Sequence, residues 1–99
     1  MKRPLLYVDF NEMPDRDLVL LSQGDTKRDV YDRIVEMQEG MAVAIYMNDP
    51  DINGNPGHLV AGGVIERNQD NGWSKHVKWC CRIDSKGISH QSELPITEE

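Results

Sequence analysis

The run HLVAGGVIER, residues 58–67, is apolar and rich in β-branched residues, yet carries adjacent glycines at 62 and 63. Such a run reads as a strand, and paired glycines inside a strand suggest a bulge or a sharp bend. A strand bent in its middle can serve two sides of a small barrel. This limits the chain to a strongly bent antiparallel sheet, and the other segments are read around it.

Residues 5–10 (LLYVDF) and 18–21 (LVLL) read as short strands, and 41–47 (MAVAIYM) as another, bounded by Gly40 and the Asn48-Asp49-Pro50 turn. A loop dense in turn formers, 48–57, leads into the glycine-bearing strand, and NQDNG (68–72) reads as a hairpin loop beyond it. The segment 74–84 is expected to be the longest strand, followed by a tight turn and a short strand from Ile88. Between the second and third strands the spacing predicts an amphipathic helix over 26–39. Thr26 can cap it, and Asp29 stands where a capping acid belongs. Val30, Ile34 and Met37 recur at i, i+4 and i+7, with Tyr31 and Val35 widening the stripe. Asp29 and Arg33 have i,i+4 spacing, and Gly40 supplies a stop. The expected class is therefore α+β, with one helix packed on the sheet. Ninety-nine residues allow one domain, here residues 1–92, with 93–99 as a frayed acidic tail.

In 77–83, VKWCCRI, side chains alternate between faces. Val77, Trp79, Cys81 and Ile83 form an apolar set, while His76, Lys78, Cys80 and Arg82 form a polar one. Cys81 is expected in the core and Cys80 on the outer surface. Thiols that diverge cannot chelate one ion, and adjacent cysteines lack the spacing of structural zinc sites. A site from His76, Cys80 and His90 would lack a fourth ligand. The stretch reads as sheet, and no metal or cofactor is expected.

Asp49-Pro-Asp51-Ile-Asn53-Gly54 copies the first half of a calcium loop, but position twelve is Val60 where a bidentate glutamate is required. The same residues suit a turn-rich loop for backbone reasons. No GxSxG, HExxH or phosphate-cradling glycine loop is present, so a non-enzymatic role is expected. A formal charge of −6 opposes nucleic acid and anionic membrane as partners. Too few apolar residues follow Met1-Lys2-Arg3 for a secretory leader, no stretch reaches transmembrane length, and two cysteines make no disulfide framework, so a cytoplasmic setting is expected.

The order MAVAIYM, long loop, HLVAGGVIER, hairpin, KHVKWCCRID, tight turn, GISH over residues 40–92 is similar to small SH3-like or Tudor-like barrels. EGMAV resembles their opening strand, GGVIE the bent second strand and HVKWCCRID the long third strand. The resemblance implies a binding module rather than an enzyme. The expected partner is another protein, met by Trp73, Tyr46 and the 48–57 loop with Asp51 and Asn53. The competing expectation is an acidic inhibitor or antidote that blocks a basic partner.

Overall fold

A computed structural model describes residues 3–69 and 72–92. The expected tail at 93–99 lies outside them, as does part of the 68–72 loop. Among the described residues there are eight strands: β1 (Leu5–Tyr7), β2 (Leu18–Ser22), β3 (Thr26–Arg28), β4 (Ile34–Glu36), β5 (Ala42–Asn48), β6 (His58–Arg67), β7 (Trp79–Ile83) and β8 (Ser89–Gln91). The fold is all-β, a small curled sheet with a two-stranded hairpin added. The α+β expectation is overturned.

The expected helix at 26–39 is the β3–β4 hairpin, and Asp29 explains why. Its side chain is fully buried, and Oδ1 accepts the backbone N–H groups of Tyr31 and Arg33 at 3.0 and 2.9 Å. Oδ2 takes Arg33 Nε at 2.9 Å. Side-chain capture of nearby backbone N–H groups competes with helical bonding and favours a turn. Asp32 completes the reversal at φ 66°, a left-handed conformation that aspartate tolerates. The Asp29–Arg33 pairing read from the sequence exists, but it closes a loop. In β4 the side chains alternate: Val35 is buried and Ile34 is 61% exposed. Ile34 was expected to face the sheet and does not, whereas Met37 does.

The main sheet has the order β1-β5-β6-β7-β2, with β8 also on β6. All of its pairings are antiparallel except β1 with β5, which is parallel. At ten residues β6 is the longest strand. It pairs with β5 along 58–64, with β7 along 63–67 and with β8 along 58–60. Its two halves thus serve different neighbours, as the glycine pair foretold. The reason for glycine differs between the two positions. A Cβ on Gly63 would lie 2.2 Å from the Arg82 carbonyl oxygen and 2.8 Å from Cys81 Sγ. On Gly62 it would meet only the tips of Arg3 and Asp84.

The segment expected as the longest strand, 74–84, contributes only five residues to β7. Residues 73–76 form a turn, with Lys75 N–H on the Gly72 carbonyl and Val77 N–H on that of Ser74. Asn68 Nδ2 donates to the carbonyls of Ser74 and Val77 at 2.8 and 2.9 Å, which pins this turn and ends the strand.

The inner face of the sheet carries the core. Leu6, Val43, Ile45, Ala61, Ile65, Val19, Cys81 and Ile83 pack beneath Val35 and Met37, with Phe10, Met13 and Met41 at the margin. Each large aliphatic side chain buried there contributes about 1.5–3 kcal/mol. Trp79 joins this cluster, and its Nε1 donates to Asp25 Oδ1 at 3.1 Å. The outer face is not bare. Cys80, expected on the surface, is 0% exposed, and packs in a second cluster with Leu20, Val77 and Leu18. The alternation of Cys80 and Cys81 between faces holds. Apolar side chains of β2 and the 73–77 segment cover the far side, which the pattern of one strand could not show. Nearby, Arg82 spans Glu66 and Asp17, with Nε on Glu66 Oε2 at 3.1 Å and Nη1 on Asp17 Oδ1 at 2.7 Å.

Candidate functional site

The loop 49–57, between β5 and β6, is braced from within. Its last ladder rung is Asn48 opposite His58. Beyond that rung, Asp49 N–H donates to the Gly57 carbonyl at 2.8 Å and Asp51 N–H to the Asn55 carbonyl at 3.1 Å. Asp51 Oδ1 accepts the Asn53 and Asn55 backbone N–H groups, each at 2.9 Å, and Oδ2 accepts Asn55 Nδ2 at 3.0 Å. Gly54 closes the turn at φ 81°. The backbone and side-chain donors of Asn55, followed by the Asn53 and Gly54 N–H groups, hold the Asp51 carboxyl below its ordinary pKa. The residues that copy a calcium pattern therefore act together as an internal brace, with the Asp51 oxygens directed at N–H donors. Among the described residues no group of histidine, cysteine and carboxylate side chains is arranged to hold a metal ion.

The base of the loop is fixed to β8. His90 Nε2 lies 3.3 Å from the Asp49 carbonyl oxygen and 3.6 Å from its Oδ2. Gly57 makes this close approach possible, since a Cβ there would sit 2.6 Å from the Asp49 carbonyl and 2.8 Å from His90 Nε2. What the brace displays is Ile52, which is 99% exposed. Sequence reasoning named its neighbours Asp51 and Asn53, both exposed, and missed Ile52. The signal was available: a lone branched aliphatic among Asp, Asn, Pro and Gly serves no turn chemistry.

The other expected site residues divide between the ends of β6. Tyr46 is half-buried on the outer face of β5, two residues before the loop's last rung. Its ring meets that of Tyr7 edge-on, with centroids 5.4 Å apart. Burial, and then the neighbouring Tyr7, raises the Tyr46 hydroxyl pKa. Trp73 is 61% exposed in the pinned turn that follows β6. The 49–57 loop precedes β6, so a strand contour of roughly 30 Å separates the two. Tyr46, Asp51 and Asn53 belong to one end of the molecule and Trp73 to the other.

The chain is thus a small all-β protein with a curled sheet and an internally hydrogen-bonded, apolar-tipped loop. Among the described residues no helix is long and apolar enough to cross a membrane. In comparisons with known proteins, no protein-family model, curated protein or solved structure matches the chain.

Proposed function

We propose that this protein is a small, non-enzymatic binding module that engages another protein through the 49–57 loop, with Ile52 as the anchor. One observation carries this reading: a fully exposed aliphatic side chain is held on a loop fixed by its own hydrogen bonds. Exposing Ile52 to water is unfavourable, and a braced loop loses little conformational freedom on docking. Together these are the properties of a binding anchor. We read the curled sheet, with its bent β6 and the tight turn after β7, as a half-barrel of SH3-like type. Two buried cysteines on opposite faces of β7, not bonded to each other, accord with a reducing cytoplasmic setting.

The acidic inhibitor or antidote is the second reading, because the loop carries Asp49 and Asp51 and no cation. The immobilised protein, its Ile52→Asp variant and its Trp73→Ala variant are compared in capturing partners from native lysate at low and high salt. An Ile52-anchored interface survives raised salt and is lost in Ile52→Asp, because a central anchor contributes about 2 kcal/mol or more. A partner lost steeply with salt but indifferent to Ile52→Asp identifies the acidic reading instead. A partner lost only in Trp73→Ala moves the site to the far end of β6.

A further inference from the structure

Asn53-Gly54 is one of two Asn-Gly steps in the chain, the other being Asn71-Gly72. Such a step has a reactivity of its own. The glycine amide nitrogen can attack the asparagine side-chain carbonyl carbon, and glycine, lacking a Cβ, neither blocks the approach nor restricts the backbone rotation it needs. At Gly54 the surroundings are open as well. Residues 51–56 are all exposed, Gly54 has φ 81°, and nothing lies within 4 Å of the place its Cβ would take. Asn55 is equally exposed but precedes Pro56, which has no N–H to become the nucleophile.

What restrains Asn53 is the brace. Gly54 N–H, the group that must give up its proton, donates to the Asp51 carbonyl at 3.0 Å. Asn53 N–H donates to Asp51 Oδ1 at 2.9 Å, and the same oxygen accepts Asn55 N–H at 2.9 Å. These bonds all lie within one exposed loop, so local opening releases them while the sheet stays folded. We propose that Asn53 is a self-modification site, converting to aspartate and isoaspartate through a cyclic imide at a pace set by Asp51. During an opening, hydroxide takes the Gly54 amide proton, the nitrogen bonds to Asn53 Cγ, and the side-chain amide group leaves as ammonia. Water then opens the ring. Attack at Cγ gives aspartate, and attack at the main-chain carbonyl carbon gives isoaspartate, in which the chain runs through Cβ and Cγ. Either way an amide and water become a carboxylate and ammonium, so a chain of net charge −6 gains one more negative charge. That charge falls beside the Asp51 carboxylate and repels it. Isoaspartate also lengthens the main chain between the two N–H groups that share Asp51 Oδ1, so both bonds cannot persist. On the reading of Ile52 as an anchor, the reaction retires the binding loop with age; the chemistry itself does not rest on that reading.

The test ages the intact protein in mildly alkaline buffer, in an Asn71→Gln background that removes the other Asn-Gly step. Digestion and tandem mass spectrometry locate the amide-to-acid mass gain. An endoprotease that cuts before aspartate leaves isoaspartate uncut and so separates the two products. Asn53 is expected to convert faster than Asn11, Asn48 and Asn68, to yield both products, and to speed up in proportion to hydroxide. Asp51→Ala accelerates the conversion by about tenfold, because the brace loses its side-chain bonds. Gly63→Ala, which weakens the sheet and not the loop, leaves the rate unchanged. Three results overturn the proposal: Asn53 converting no faster than the other asparagines, no acceleration in Asp51→Ala, or equal acceleration in Gly63→Ala, which would make unfolding the route. No partner enters these measurements, so failure of Ile52 as an anchor leaves them unchanged.

Discussion

Replacing Gly63 with alanine adds one methyl group at the point where β6 passes from one neighbour to the next. That methyl would lie 2.2 Å from the Arg82 carbonyl oxygen and 2.8 Å from Cys81 Sγ. The carbonyl belongs to β7, which is paired on both sides, to β6 and to β2, so it cannot retreat without disturbing two ladders. Overpacking costs about 1–3 kcal/mol, and a fixed backbone atom puts this case at about 3 kcal/mol. Gly62→Ala is the internal control. Its methyl meets Arg3 Nη1 and Asp84 Oδ2, each at 2.9 Å, and both are side-chain ends that can swing away. The entropic gain of a Gly→Ala change, about 0.4–1 kcal/mol, offsets much of that adjustment. Urea unfolding separates the two variants. With a slope of about 1–1.5 kcal/mol/M, Gly63→Ala lowers the midpoint by roughly 2–3 M, while Gly62→Ala shifts it by less than about 0.5 M. Combining Gly63→Ala with Cys81→Ala does not rescue it, because the carbonyl contact persists. If Gly63→Ala proves as stable as Gly62→Ala, β6 and β7 do not cross as closely as described, and the bend has another cause.

Two further outcomes follow from buried groups. Cys80→Ser is expected to cost about 1–3 kcal/mol, well above the surface range, because it sets a hydroxyl among Leu20, Val77 and Leu18; urea midpoints measure it. Burial, and then the Asp84 charge, pushes the Cys81 thiol up to about 12, so a thiol reagent should modify it at neutral pH only after unfolding. Asp29 gives a pH dependence: burial alone would raise its pKa, but the Arg33 backbone N–H and guanidinium together outweigh this and lower it. A carboxyl with a folded pKa below its unfolded value contributes stability above about 3.8, and that contribution is lost as pH falls through the folded pKa. Asp29→Ala should therefore destabilise the protein by about 2–3 kcal/mol at neutral pH and flatten its acid-unfolding curve below pH 4.

The parts of the fold that a single strand specifies were legible, and those set by a second element were not. The Gly62-Gly63 pair pointed to the strand that passes from one neighbour to the next, and of the two it is Gly63 that the backbone requires, because of the Arg82 carbonyl. The inward set Trp79, Cys81 and Ile83 followed from alternation within β7, but Val77, expected with them, lies before the strand begins and packs with Cys80 on the far side. Cys80 was misplaced because its cover comes from Leu18 and Leu20, more than fifty residues earlier. The 26–39 segment failed for a local reason. Val30, Ile34 and Met37 fit a helical stripe, but Val35 and Met37 fit an alternating one equally well. The choice fell to the Asp29 carboxylate, which binds the backbone N–H groups of a turn more effectively than it caps a helix. At the loop, Asp51 and Asn53 were noticed for their oxygens, whereas the brace they form gives its significance to Ile52.

The two strands nearest the N-terminus, β1 and β2, occupy opposite ends of the β1-β5-β6-β7-β2 path. This has a consequence for how the protein is made. Val19 pairs with Cys81, so β2 must wait for about sixty more residues to be synthesised, a delay of roughly 3–12 s at ordinary translation rates. Leu6 waits for Ile45 in the same way. During that interval the apolar LVLL of the nascent chain has no sheet to join. β2 is thus fastened only after the β1–β5 and β5–β6 pairs can form, and holding its apolar side chains in solution until then falls to whatever meets the chain as it emerges.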